Sequence, residues 1–407
     1  MAARWFFIAL FSLGVLSAQS ATVQEIEARA QALKGQGDAA GALAAYEEAE
    51  ALDPKSARLQ DEIGFLLAVM NRRPEAIEHF NRSIELDPQF AAAHFHLGVA
   101  LWLEQQAAKA VPELQTAADL DTSNPVYQSK LGQSLETLGR HQDAIPHLKS
   151  AVESRPNDLA AWVSLGGAYE KAGNPASALE AYQHAVELDG KNPDARNSLG
   201  LLLVRMHRAD EGIVEFQKVL AGDPNNDNAR FNIGFAHLLK AELDQAIAVF
   251  RDLIAREPNH APAHYNLGVA LKNKDDMDGA KAEFTRALQI DPSMAEAHYM
   301  IGITCWQLGE FDRAVEEMRA AIGLRADYGQ AYFMLGTVLK QKGDLAPAEE
   351  ALRTAIRLTP EDSGPYNTLG QLLRQKGDIE GSKRMFAEGA RVKQAKETEL
   401  GIMLGRQ

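Results

Sequence analysis

The sequence predicts an all-α solenoid, a run of short helical hairpins stacked one on the next, and three rows of residues at one interval predict it. Steps of 34 residues from Gly268 land on Gly64, Gly98, Gly132, Gly166, Gly200, Gly234, Gly302, Gly336 and Gly370. The same step from Ala280 meets only small residues: Ala42, Ala76, Ala110, Ala144, Ala178, Gly212, Ala246, Ala314, Ala348 and Ser382. From Phe284 it meets only bulky apolar ones: Tyr46, Phe80, Leu114, Leu148, Tyr182, Phe216, Phe250, Met318, Leu352 and Phe386. With 31 glycines in 407 residues, ten in a single register do not arise by chance.

If Gly268 is position 8, its unit starts at Ala261. Positions 4, 7, 8 and 11 then share one face of a first helix, and positions 20, 24 and 27 one face of a second. Between them, position 15 is often glycine, as at Gly139, Gly173, Gly309, Gly343 and Gly377, which suits a left-handed helix end. Each unit is thus a helical hairpin. Position 8 and position 20 lack bulk where the paired helices come closest. Helices of about 12 to 14 residues are marginal alone, so stability must come from stacking unit on unit.

This pattern resembles the tetratricopeptide repeat, whose signature is an aromatic at position 4, leucine at 7, glycine at 8, a bulky residue at 11, a small one at 20, an aromatic at 24, alanine at 27 and proline at 32. The unit from Ala261 supplies His264, Leu267, Gly268, Leu271, Ala280, Phe284, Ala287 and Pro292, departing only at position 4. Eleven units follow without a gap: 23–56, 57–90, 91–124, 125–158, 159–192, 193–226, 227–260, 261–294, 295–328, 329–362 and 363–396, with a C-terminal cap at 397–407. The resemblance implies a right-handed superhelix of these hairpins in a single solenoid from residue 21 onward.

Ahead of the repeats, residues 1–20 place Arg4 before a mainly apolar run from Trp5 to Leu16, then Ser17, Ala18, Gln19 and Ser20. This reads as a secretory signal peptide cleaved before Ala21. An uncleaved anchor is the alternative, although the run is shorter than the roughly 20 residues a span needs. The expected location is periplasmic or secreted. In an oxidising compartment the lone Cys305 cannot form an internal disulfide, and at position 11 it reads as a small core residue. A net charge of −14, made more negative by loss of Arg4, disfavours nucleic acid and anionic membrane as partners.

The first repeat is degenerate in its first helix, with Ile26, Arg29, Ala30 and Leu33 at positions 4, 7, 8 and 11, as suits an end unit with one face unstacked. In the last repeat Gln394 replaces the proline at position 32, so the final helix is expected to run on. Most prolines mark boundaries; Pro125, Pro193, Pro262 and Pro365 open first helices and Pro74, Pro175 and Pro347 open second ones. Pro112 and Pro146 instead fall at position 22, inside second helices, and are expected to kink or shorten them.

The sequence shows no HExxH, CxxC, GxxxxGK[ST] or GxSxG motif, and the repeats leave no room for a catalytic domain. No enzyme, cofactor or metal site is expected. His264 and His298 occupy position 4 of adjacent repeats, where packed imidazoles in place of the usual aromatic are favoured over metal ligands. Acidic pairs such as Glu47–Glu48, Glu316–Glu317 and Glu349–Glu350 read as solvated faces.

What remains is surface. In the family, positions 2, 5, 9 and 12 line the concave groove where protein partners bind. Position 5 carries four consecutive aromatics in repeats seven to ten: Phe231, Tyr265, Tyr299 and Phe333. Phe235, Val269 and Ile303 add to position 9; Lys272, Lys340 and Arg374 add a basic edge at position 12; Asn232 and Asn266 at position 6 can hydrogen-bond a ligand backbone. This combination fits a protein or extended peptide with apolar anchors and acidic groups. Two readings of the aromatic row stay open, ligand contact and packing on the next helix. No unit has lysine at position 5, so the carboxylate clamp of chaperone-binding relatives is not expected. The functional expectation is a monomeric, non-enzymatic interaction scaffold. The alternative is a structural assembly factor of an envelope secretion or polysaccharide-export complex that binds through convex or end surfaces.

Overall fold

A computed structural model describes residues 22–404. The expected leader at 1–20, its cleavage point and the last three residues of the C-terminal cap lie outside the described residues. Among those described there are twenty-two helices and no strand. They run α1 (22–35), α2 (Ala39–Leu52), α3 (Ala57–Val69), α4 (Arg73–Leu86), α5 (Ala91–Leu103), α6 (Ala107–Leu120), α7 (Pro125–Thr137), α8 (His141–Ser154), α9 (Leu159–Lys171), α10 (Pro175–Leu188) and α11 (Pro193–Arg205). Then follow α12 (Ala209–Gly222), α13 (Asp227–Leu239), α14 (Leu243–Arg256), α15 (Ala261–Asn273), α16 (Met277–Ile290), α17 (Ala295–Gln307), α18 (Phe311–Leu324), α19 (Gly329–Lys342), α20 (Leu345–Leu358), α21 (Ser363–Gln375) and α22 (Ile379–Leu404). From α3 onward every first helix begins at position 1, and every second helix begins at position 17. The sequence period is therefore the structural period.

The residue between paired helices shows why the period holds. All eleven residues at position 15 have positive φ: glycine at 37, 139, 173, 309, 343 and 377, and Asn71, Gln105, His207, Ala241 and Asp275 elsewhere. A left-handed residue ends the first helix and turns the chain into the second. Side-chain caps then start several helices; Asp276, for example, accepts from the Gly279 N–H at 2.9 Å.

By contacts the chain divides into two compact units, one ending at Leu202 and the other beginning at Leu203. The first has apolar clusters running from Val23 to Ala110 and from Val111 to Ala181. The second has one running from Ala246 to Leu373. In both, the position-24 side chain is the central block: Tyr46, Phe80, Leu114, Leu148, Phe216, Phe250, Phe284, Met318 and Leu352 are essentially inaccessible. Glycine at position 8 makes room for it. A Cβ on Gly268 would lie 2.7 Å from the Phe284 ring, and one on Gly64 would lie 2.6 Å from the Phe80 ring. The position-20 backbone is a secondary contact, with the Ala76 carbonyl 3.1 Å from that same point on Gly64. In the last of these repeats Phe386 is exposed.

The expected shortening at Pro112 and Pro146 does not occur. Both α6 and α8 keep the fourteen residues of the other second helices. Each proline and the residue four before it, Ala108 or Gln142, are exposed, on the side of the helix where water can take the place of the missing donor. Helix α22 continues through position 32 to Leu404, where proline would have stopped it. Cys305 is fully buried, and burial together with neighbouring Glu310 pushes its thiol up to about 11, as befits a core residue. No described helix is long and apolar enough to cross a membrane.

Candidate protein-binding surface

The aromatic row belongs to the second unit, on α13, α15, α17 and α19. Phe231, Tyr265, Tyr299 and Phe333 are all half-buried and packed on the unit's core, so each ring commits part of its surface to the fold. Their fixed contacts are ring to ring. Phe231 lies 5.9 Å from Phe250, 5.4 Å from a near-parallel His260 and 6.5 Å from Phe235. Tyr265 lies 5.6 Å from Phe284, and Tyr299 lies 5.1 Å from Tyr328. Val269 and Ile303 pack on the same core.

The polar residues around the row differ in how far they are committed. The Asn266 side chain donates to the Pro262 carbonyl of its own helix at 2.9 Å, whereas Asn232 shows no side-chain partner among the described residues. Lys340 donates to Gln371 at 2.6 Å. Lys272 is half-buried and Arg374 is exposed; neither has an ion pair among the described residues. A basic edge thus stands largely uncompensated beside the rings.

Four further residues belong to this surface: Glu296, at position 2 of the groove stripe, and three that the helical faces did not mark, His260, Arg325 and Tyr328. His260 and Tyr328 occupy position 34, just before the next first helix, and each packs on the position-5 ring of its own repeat. Arg325 pairs with Glu296 and holds its guanidinium 4.7 Å from the Tyr328 ring centre. Burial raises the Tyr265, Tyr299 and Tyr328 hydroxyls, the last to about 12, and Glu296 or Asp362 adds to the effect. All three remain protonated donors near neutral pH. The available signal was a second 34-residue row, position 34, which also carries Phe90.

The first unit has aromatic clusters of its own. Phe95 lies 4.7 Å from Tyr127, and the Lys130 ammonium lies 5.8 Å from the Trp102 ring. A cleft of about 240 Å³ opens beside Trp162 and His184, whose rings are 4.7 Å apart.

Position 4, where the sequence departs from the aromatic pattern, proves to be a stitch between repeats. His264 sets Nδ1 2.6 Å from Glu283 and Nε2 3.2 Å from the Pro258 carbonyl, at position 32 of the preceding repeat. His94 does the same with Glu113 and Pro88, at 2.6 and 3.1 Å. Trp162 donates to the Pro156 carbonyl at 2.8 Å and Arg230 to the Pro224 carbonyl at 2.9 Å. His298 turns to Glu317 at 2.7 Å, so His264 and His298 each pair within their own repeat. No group of residues suited to hold a metal occurs among those described. One member of each acidic pair meets a cation: Glu48 with Arg29, Glu317 with Arg313 at 3.8 Å, and Glu349 with Arg353 and Lys376.

Family models for the tetratricopeptide repeat match residues 129–193, 203–271, 265–331 and 299–363, and a further TPR repeat model matches residues 70–105. No curated protein matches the chain. Among solved structures, a tetratricopeptide repeat protein from Parabacteroides merdae is similar with a TM-score of 0.54 and 15% identity, over 61% of this chain and 98% of its own. Yeast Tom70 aligns at 0.51 and 15% identity over 95% of each chain. The Cut9–Hcn1 heterotetramer of the APC/C aligns at 0.51 and 12% identity, over 84% of this chain and 88% of that one. At such identities the likeness is one of fold.

Proposed function

The chain belongs to the tetratricopeptide repeat family, whose fold is that of protein-interaction scaffolds, and from that premise we propose that its second unit binds an extended peptide across the aromatic row. One observation carries the reading: four rings at the same position of consecutive repeats stay partly open while the core holds each from behind. A rigid, half-exposed ring offers contact area at little entropic cost, as binding hot spots require. Lys272 and Arg374, cations without a counter-charge on a protein of net charge −14, favour a ligand that brings acidic groups to that edge. The same net charge disfavours nucleic acid. Within this reading the protein acts as a monomer, without catalysis, outside the cytoplasm after cleavage before Ala21.

The test is cross-linked capture from the native host's envelope fraction, read by mass spectrometry, comparing the full chain with two variants. One carries Phe231, Tyr265, Tyr299 and Phe333 all changed to alanine. Because those rings pack on the core, the other leaves them intact and carries Lys272→Glu, Lys340→Glu and Arg374→Glu. A partner lost from both variants, with the helical circular dichroism unchanged, supports the reading. A partner retained by the charge-reversed chain removes the acidic ligand, and one retained by both removes the site and favours binding through other surfaces.

A further inference from the structure

The N-terminal ends of the first helices, away from the basic residues at position 12, have the reverse character. There Tyr299 and Tyr328 lean together, their ring centres 5.1 Å apart, and the Glu296 carboxylate acts on both Tyr328 and Tyr265. Asp362 is the charge acting on Tyr299. Electron-rich ring faces beside carboxylates form a site for a cation, since ring quadrupole and carboxylate attract the same charge. Such a site is already filled from within the chain: Arg325 lies over Tyr328 and pairs with Glu296. Arg325 follows the last residue of α18, outside any helix, and its side chain is 41% exposed. It can therefore leave without disturbing the core.

We propose that Tyr299, Tyr328 and Glu296 receive an arginine or lysine side chain of the bound protein, and that Arg325 occupies this place in the free chain. The proposal rests on the peptide-binding reading above and gives it a direction, because a ligand crossing this surface would set a basic residue on the tyrosines and acidic groups on the basic residues at position 12. Arg325 then acts as an internal competitor. A partner's cation must displace it, so its removal should raise affinity for a cationic group.

The probe is N-acetyl-arginine N-methylamide, with the uncharged citrulline analogue as control, titrated into the full chain labelled on its tyrosine rings and followed by NMR. Ring signals are assigned with Tyr299→Phe and Tyr328→Phe. The expected result is that Arg325→Ala binds the arginine probe at least tenfold more tightly than the unaltered chain, with shifts at Tyr299 and Tyr328. The citrulline analogue should give none, and Arg325→Ala combined with Glu296→Gln should lose the response. Arg325→Gln provides a second vacated site if the alanine variant melts early. Failure of both vacated variants to bind arginine, or equal binding of citrulline, overturns the proposal. If the aromatic variant still loses its protein partner in that case, the peptide reading stands and only the cation site falls. Arginine binding alongside unchanged partner capture by the aromatic variant would mean the reverse.

Discussion

Ala241 is the one residue at position 15 that is neither glycine nor polar, and its φ of 57° places it in the left-handed region. There an alanine Cβ crowds the following carbonyl at a cost of roughly 1 kcal/mol or more, while glycine feels no such contact and loses part of that gain to its freer unfolded chain. Ala241→Gly should therefore stabilise the protein by about 0.5–1 kcal/mol in urea denaturation. The same change at Asn71 should gain less, since asparagine tolerates this conformation. Cys305 supplies a second residue-scale expectation. Its thiol is raised from 9.0 to about 11, so the fold holds its proton more tightly than the unfolded chain does. That contribution is complete below pH 9 and is lost as pH climbs through 11. Native protein at pH 8 should leave a thiol reagent unconsumed, and urea stability should fall between pH 9 and 11, less so in Cys305→Ala. Rapid labelling at pH 8 would contradict the buried assignment.

At the scale of helices, two kinds of link join consecutive repeats, and their magnitudes differ. Lys240 with Asp210, Lys274 with Asp244 and Lys342 with Asp312 form a recurring exposed ion pair across the turn edge. Exposed pairs contribute about 0–1 kcal/mol each and are screened by salt. The position-4 stitch is buried. Removing the His264 ring would leave the Pro258 carbonyl and Glu283 short of a partner and open a void between α15 and α16. His264→Ala should cost about 1–3 kcal/mol, against less than about 1 kcal/mol for Lys274→Ala, by thermal or urea melts. Gln128 holds the same position in its repeat and donates to the Thr122 carbonyl at 3.4 Å, so His264→Gln should restore much of the loss. The helices themselves were legible because a 34-residue period fixes both faces at once, down to the bend at position 15. The stitch was not, because position 4 looked like a degraded aromatic slot until its partner at position 32 came into view. The tyrosine pair was hidden for a related reason. Tyr328 and Arg325 lie between helices, where hydrophobic periodicity says nothing, and Glu296 gains meaning only once Arg325 is beside it. The full length of α6 and α8 shows the opposite case: the local rule named the lost hydrogen bond, but shortening does not follow where Pro112, Pro146 and the residues four before them are exposed.

Within each unit, contacts are sequential. Helices pack on their immediate neighbours along the chain and, more sparsely, on the next but one. A chain held together this way has stability that is a sum of local terms, so damage should stay local. Gly268→Ala is the sharpest way to ask, because its Cβ would meet a fully buried ring of Phe284 at 2.7 Å, with core on every side to resist the shift. Overpacking of that kind costs about 1–3 kcal/mol. Hydrogen exchange should accelerate in α15 and α16 and in the helices stacked on them, α14 and α17, and fade with distance along the chain. Amides of α3 to α8 should keep their native rates. Uniform acceleration from α3 to α21 would mean that the chain unfolds as one block, and the additive description would fail. If the damage stays local, the binding proposed for the aromatic row can be weakened from within repeat eight while the first unit remains folded.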